Sequence, residues 1–255
     1  MKVAFSGKGG VGKTTLASLF IRALAQEAKE VLAVDCDPDS NLAHALGFEN
    51  FDKIQPIAEM EELIHRRMGV EKGNKSFFQL NPKIDDIPDA FSKQKDNIKL
   101  IVMGAVEEGG TGCMCPENTF IKNLLQHLIV KKNEHVVLDM EAGVEHFGRG
   151  TAESCNAVLI VVEPSLNSLG TAEKIATFAR DIGIKRVYAL GNKIRTARDN
   201  EFIRKQLGKI QLAAAIDFDQ DFLKSDQGAT GIKAPLACEK KIAELKRFLE
   251  EELNQ

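Results

Sequence analysis

Residues 6–15 read SGKGGVGKTT, and the residue types and spacing there belong to chemistry on phosphate. Gly7 and Gly12 stand five residues apart, with Lys13 and Thr14 directly after, which fits the template of a phosphate-binding loop. Glycines let the backbone wrap close to oxygen atoms, and N–H groups converge there with the N-terminus of the following helix. Gly9, Gly10, Val11, Gly12, Lys13, Thr14 and Thr15 are therefore the candidate nucleotide-binding positions. Lys13 would add charge on the β/γ-phosphates, and Thr14 would give its hydroxyl to Mg²⁺. The alternative is a glycine-rich turn without a ligand. The stretch lies between an apolar run, Val3 to Phe5, and a helical pattern, Leu16 to Ala25, which argues against that alternative.

Acidic residues occur where such a loop needs them. Val31 to Val34 is a continuous apolar run, as in a buried parallel strand, and it delivers Asp35, Cys36, Asp37, Pro38 and Asp39. Beyond the carboxyl end of a strand, one carboxylate can orient the water that attacks a γ-phosphate while others organise the Mg²⁺ shell. Asp39 serves equally well as the N-cap of a helix starting near Asn41. The stretch His135 to Asp139 repeats the pattern, and Asp139 can hold a water on Mg²⁺. Asn192 follows the strand Arg186 to Gly191, and its amide matches the N6/N7 edge of adenine; a plain turn residue is the competing reading. Guanine readers that share an Asn-Lys start carry Asp where this chain has Arg195, so the base expected is adenine. Asp217, Phe218 and Asp219, after the last strand, would border it. Cys113 and Cys115 flank a single residue in a glycine-rich loop closed by Pro116. Two thiolates are half of a tetrahedral or square-planar sulfur site, and a two-fold dimer would supply the other half. Zn²⁺, Ni²⁺, Cu⁺ or an iron–sulfur cluster would suit such ligands; a strained disulfide and two inert loop cysteines are the alternatives.

The string KGGVGKTT resembles the deviant Walker A motif of the MinD/ParA/nitrogenase-iron-protein family of P-loop ATPases. The resemblance implies that Lys8, otherwise a solvated surface lysine, reaches across a homodimer interface to the partner's nucleotide. DCDP is similar to the family's switch I, in which Asp37 takes the place of the residue that positions the hydrolytic water. DMEAG departs from the commoner DTPAG form of switch II, because Met140 and Glu141 replace Thr and Pro. The role of Asp139 survives that change. With VVEPS, the Asn192 turn and GCMC in order, the chain resembles the CooC-type nickel-insertion ATPases within this family. That likeness implies ATP and Mg²⁺, a homodimer formed on nucleotide or metal binding, nickel or zinc on Cys113 and Cys115, and the carbon monoxide dehydrogenase apoenzyme as client. An iron–sulfur carrier or reductase of the same superfamily, or a positioning ATPase of the MinD/ParA kind, are the rival readings.

Strands alternating with helices predict an α/β fold, a doubly wound, mainly parallel sheet flanked by helices, in one domain over residues 1–255. Residues 49–97 are looser in pattern, apart from a short helix near Glu59 to Met68, and are expected to leave the core sheet as a partner-binding excursion. The 255 residues are 44% hydrophobic and 28% charged, ordinary for a packed soluble domain. A net charge of −3 without a long basic run argues against nucleic acid. No run is long enough to span a membrane, and the N-terminus leads into a strand rather than a cleavable signal, so the cytoplasm is expected. Among the five cysteines, Cys36, Cys155 and Cys238 are expected to pack as small apolar groups. The apolar face of Glu239 to Leu253 should dock on the domain, and its acidic end speaks against a membrane surface.

Overall fold

Alternation of apolar side chains along the strands sends residues to two opposite layers, and helices cover both. The computed structural model describes residues 1–27, 30–70, 78–104, 116–130, 135–141, 155–220, 222 and 231–254. The chain enters on β1 (Lys2–Ser6), turns through the glycine loop into α1 (Lys13–Ala25) and returns on β2 (Val31–Cys36). Short helices α2 (Leu42–Leu46), α3 (Glu61–Met68) and α4 (Ile87–Phe91) precede a hairpin of β3 (Lys93–Lys95) and β4 (Ile98–Val102). Next come α5 (Pro116–Val130), β5 (His135–Met140), β6 (Ala157–Val162), α6 (Leu166–Asp181) and β7 (Val187–Ile194). Then follow α7 (Ala197–Gln206), β8 (Gln211–Asp217) and α8 (Leu236–Leu253).

The strands form one sheet in the order β3-β4-β2-β5-β1-β6-β7-β8, parallel throughout except for the β3–β4 pair. This is the doubly wound sheet that the alternating pattern predicts. In β6, Val158, Ile160 and Val162 face the layer of α3, α5, α6 and α7, while Ala157, Leu159 and Val161 face α1, α2 and α8. Complete burial on both sides explains why the central strands read as unbroken apolar runs. β1 sits between β5 and β6, where the winding of the chain reverses, so its carboxyl end opens into the crevice in which such sheets bind ligands.

Within residues 49–97, the described residues depart from expectation. They do not stay away from the sheet: Lys93–Lys95 returns as its antiparallel edge strand, and Ile57, Leu63, Ile64, Met68 and Ile87 are buried in the α5 layer. An edge strand of Lys-Gln-Lys carries no apolar alternation, so only its pairing with β4 reveals it. Asp96, at φ 51°, makes the tight turn, a conformation that Asp tolerates better than most residues. The terminal helix docks as its pattern predicts, with Ile242, Leu245 and Leu249 buried against α1, although it starts earlier, at Leu236. Among the described residues, no helix is long and apolar enough to cross a membrane.

Phe20 on α1 is fully buried, its ring 5.6 Å from that of Phe5. Phe20→Ala is expected to cost about 3–5 kcal/mol of stability, read as a lower denaturation midpoint with an unchanged slope in urea unfolding.

Candidate functional site

The glycine loop is shaped by two close approaches. A Cβ on Gly7, at φ +145°, would lie 2.4 Å from the carbonyl oxygen of Val161 on β6. A Cβ on Gly12, at φ +95°, would lie 2.4 Å from Nδ2 of Asn192. Both positions need glycine for backbone conformation and for space. Gly12 also caps α1 without offering a side chain, so the first turn keeps backbone N–H groups for an outside acceptor. Gly9 and Gly10 are exposed at the crown of the loop, and Lys8 beside them is half-buried.

Behind the loop lie the carboxylates of Asp35, Asp37 and Asp139. Asp35 on β2 and Asp139 on β5 are paired in register on neighbouring strands, and neither is exposed. Asp35 accepts hydrogen bonds from Leu42 N at 3.0 Å and Asp37 N at 3.2 Å. Asp37 reaches toward the buried Lys13, whose Nζ is 3.8 Å from Asp37 Oδ2. Burial pushes Asp35 up to about 7, against the pull of its two backbone donors. Burial also pushes Asp139 up to about 7, opposed by the Thr14 hydroxyl and the charge of Lys13. Neither oxygen of Asp139 has a hydrogen-bond partner of normal geometry among the described residues. An orphaned buried carboxylate facing the Thr14 hydroxyl is a donor set of oxygens that fits Mg²⁺.

Asn192 and Lys193 approach the loop from the end of β7. Asn192 Nδ2 donates to Val11 O at 2.8 Å, and Lys193 Nζ donates to Gly10 O at 2.6 Å and to Glu163 Oε2 at 3.0 Å. Next to them, Ile194, Arg195, Asn200, Asp217 and Phe218 line a cavity of about 830 Å³, with the Arg195 guanidinium 3.9 Å above the Phe218 ring. Phe218 N donates to Ile194 O at 2.8 Å, so the 217–219 loop is fastened to the end of β7. Asp39 is not the cap of α2: the N-cap is Asn41, and the carboxylate on the first turn is that of Asp35. Cys36, Cys155 and Cys238 are buried thiols; burial pushes Cys155 to about 12 and Cys238 to about 11, far from thiolate chemistry. Cys113 and Cys115 lie outside the described residues, as do residues 142–154. Among the described residues no group of three or more His, Cys, Asp or Glu gathers for a metal ion.

A family model described as the CobQ/CobB/MinD/ParA nucleotide binding domain matches residues 2–230. The chain belongs to that family. Carbon monoxide dehydrogenase accessory protein CooC from Rhodospirillum rubrum is 43% identical over 229 residues, 89% of this chain and 87% of that protein. An ATP-binding protein from Methanocaldococcus jannaschii is 42% identical over 231 residues, 89% of this chain and 88% of its own. A chain of the MinC:MinD cell division protein complex from Aquifex aeolicus superposes with a TM-score of 0.68 over 98% of this chain and 95% of that one; at 18% identity this speaks for the fold. As a member of the CobQ/CobB/MinD/ParA family, the protein is an ATPase of the MinD/ParA type.

Two features of this ATPase go unassigned from residue types, and only the second carries a local signal. Lys193 enters the sequence reading only as the second residue of the Asn-Lys start, which gives no signal of its tie to the loop. The helix α7 is signalled by Thr196 and Asp199, which form a capping box: Asp199 N donates to Thr196 Oγ1 at 3.3 Å and Thr196 N to Asp199 Oδ2 at 2.9 Å.

A carboxyl whose folded pKa is raised stabilises the fold below its unfolded pKa, and that stability drains away as pH rises toward the folded value. For Asp139 the window runs from about 4 to about 7. Asp139→Asn is therefore expected to melt higher than wild type at pH 8 without nucleotide or Mg²⁺, with the gap narrowing toward pH 5. Thermal denaturation of both proteins across this range checks it.

Proposed function

We propose that the protein is an ATP-hydrolysing metallochaperone that dimerises with nucleotide and serves nickel insertion into carbon monoxide dehydrogenase. One observation carries the ATP half of this reading: Lys13, Asp37 and the orphaned Asp139 meet at the mouth of a loop whose glycines leave room for phosphate. Gly9 to Thr15 would cradle the phosphates. The base would enter the cavity beside Asn192, with Arg195 favouring adenine over guanine. Thr14 and Asp139 would hold Mg²⁺, which when bound neutralises charge on the phosphates.

The chain's own residues supply the rest. Lys13 rests near Asp37 at a distance longer than a hydrogen bond. A γ-phosphate draws Lys13 away and leaves the Asp37 carboxylate to accept from the attacking water. Lys8, at the crown, reaches the nucleotide of the second protomer.

The client half rests on likeness to CooC, a carbon monoxide dehydrogenase accessory protein, and on Cys113 and Cys115. Two such pairs across a two-fold axis give four thiolates, a set that suits nickel or zinc as cargo. Coupling of the dimer to nucleotide then couples the metal to ATP hydrolysis.

Metal content decides the cargo reading. Wild type is expected to bind about half an equivalent of nickel or zinc per chain, as four shared thiolates require, and Cys113→Ser to lose it; unchanged stoichiometry excludes the shared site. For Lys8→Ala, ATP binding by the monomer should persist while the ATP-dependent dimer is lost. A normal ATP dimer in sedimentation velocity rules out that role for Lys8.

A further inference from the structure

The end of β7 does more than stand beside a base. Asn192 and Lys193 are consecutive, and they hold consecutive loop carbonyls, Val11 O at 2.8 Å and Gly10 O at 2.6 Å. In a trans peptide the C=O of one residue and the N–H of the next point to opposite sides of the chain. Fastening Gly10 O therefore turns Val11 N–H away from β7, and fastening Val11 O does the same for Gly12 N–H. Val11 N makes only a long turn contact to Lys8 O, 3.4 Å, beyond the usual range for such bonds. A phosphate oxygen is a better acceptor for it.

Lys193 is set for this task by its backbone and by a third group. Its φ of 57° lies in the left-handed region, which lysine seldom adopts. Its ammonium is held from the other side by Glu163 Oε2 at 3.0 Å, and Glu163 N in turn donates to Ser168 Oγ at 3.1 Å. The clamp thus ties the ends of β6 and β7 to the loop that leaves β1. Lys193 and Glu163 are 40% and 29% exposed, a setting in which an ion pair adds little to overall stability.

We propose that Asn192 and Lys193 form a two-point clamp that orients the peptide planes of Gly10–Val11 and Val11–Gly12 toward phosphate, with Lys193 as a positioning residue anchored by Glu163. The inference rests on the assignment of residues 9–15 as the phosphate cradle. It also places the Asn192 amide on the loop, with one of its two N–H bonds spent there before any base arrives.

The test is calorimetry of MgADP and MgATP binding to the full chain, with melting of the nucleotide-free protein in parallel. Lys193→Met keeps the aliphatic stem and removes the donor; the expected result is about a tenfold weaker affinity for both nucleotides with an unchanged melting temperature. Lys193→Arg keeps charge and donors and should retain most of the affinity. Glu163→Gln should weaken binding about threefold, since it loosens the anchor without removing the clamp. Binding by Lys193→Met within twofold of wild type overturns the clamp. If Lys193→Met also lowers the melting temperature, wild-type affinity in Glu163→Gln overturns it instead. Wild type that binds neither nucleotide brings down the cradle assignment itself, and the clamp with it.

Discussion

Two carboxylates side by side in the middle of the sheet set the terms for the rest of the molecule. Asp35 and Asp139 face each other on adjacent strands with no exposure to water, and burial holds both well above ordinary carboxylate behaviour. Such a pair is tolerable only where compensating groups are close. Asp35 is satisfied locally, by backbone N–H groups at the start of α2 and at Asp37. Asp139 is not, and its surroundings supply Thr14 and Lys13 from the loop after β1 instead. The unsatisfied member is thus the one that faces the loop after β1, where the proposed Mg²⁺ would remove the cost of keeping it.

The loop itself is held by shape. Gly7 touches β6 and Gly12 touches the end of β7, so the loop is wedged between the two strands that follow β1 in the sheet order. Any side chain at either position would push the loop out of its seat. The same two strand ends carry Glu163, Asn192 and Lys193, which fasten the carbonyls of the loop. Glycine conformation, strand order and side-chain donors therefore converge on a single backbone geometry.

The central sheet was legible because full burial on both faces writes strands as unbroken apolar runs, as in Val31–Val34 and Ala157–Val162. The phosphate loop was legible because its conformation demands glycine at fixed spacing. Residues 93–95 were not, because an exposed edge strand has no pattern of its own and exists only through its partner Ile98–Leu100. The role of Lys193 was hidden for a related reason: it lies in a contact 183 positions away in the sequence. Asp39 drew attention as an acid next to a helix start, yet the helix is satisfied by Asp35, which points inward from the strand before it. Spacing along the chain identifies groups that act through their own backbone; groups that act across the fold need the fold.

Helix α1 also has a far end. Arg22, on its last turns, donates to the carbonyls of Ala45 and Ile232, and burial lowers its pKa. Ala45 lies in α2, whose closing residues Leu46 and Gly47 offer their carbonyls to Lys95 of the edge strand, at 3.3 and 2.5 Å. A helix of 13 residues is about 20 Å long and stiff along its axis. It is a strut: at one end stands Lys13 of the glycine loop, and at the other Arg22, joined through α2 to Lys95 of β3. The edge of the sheet and the glycine loop are in this sense opposite ends of one chain of contacts, although they share no residue.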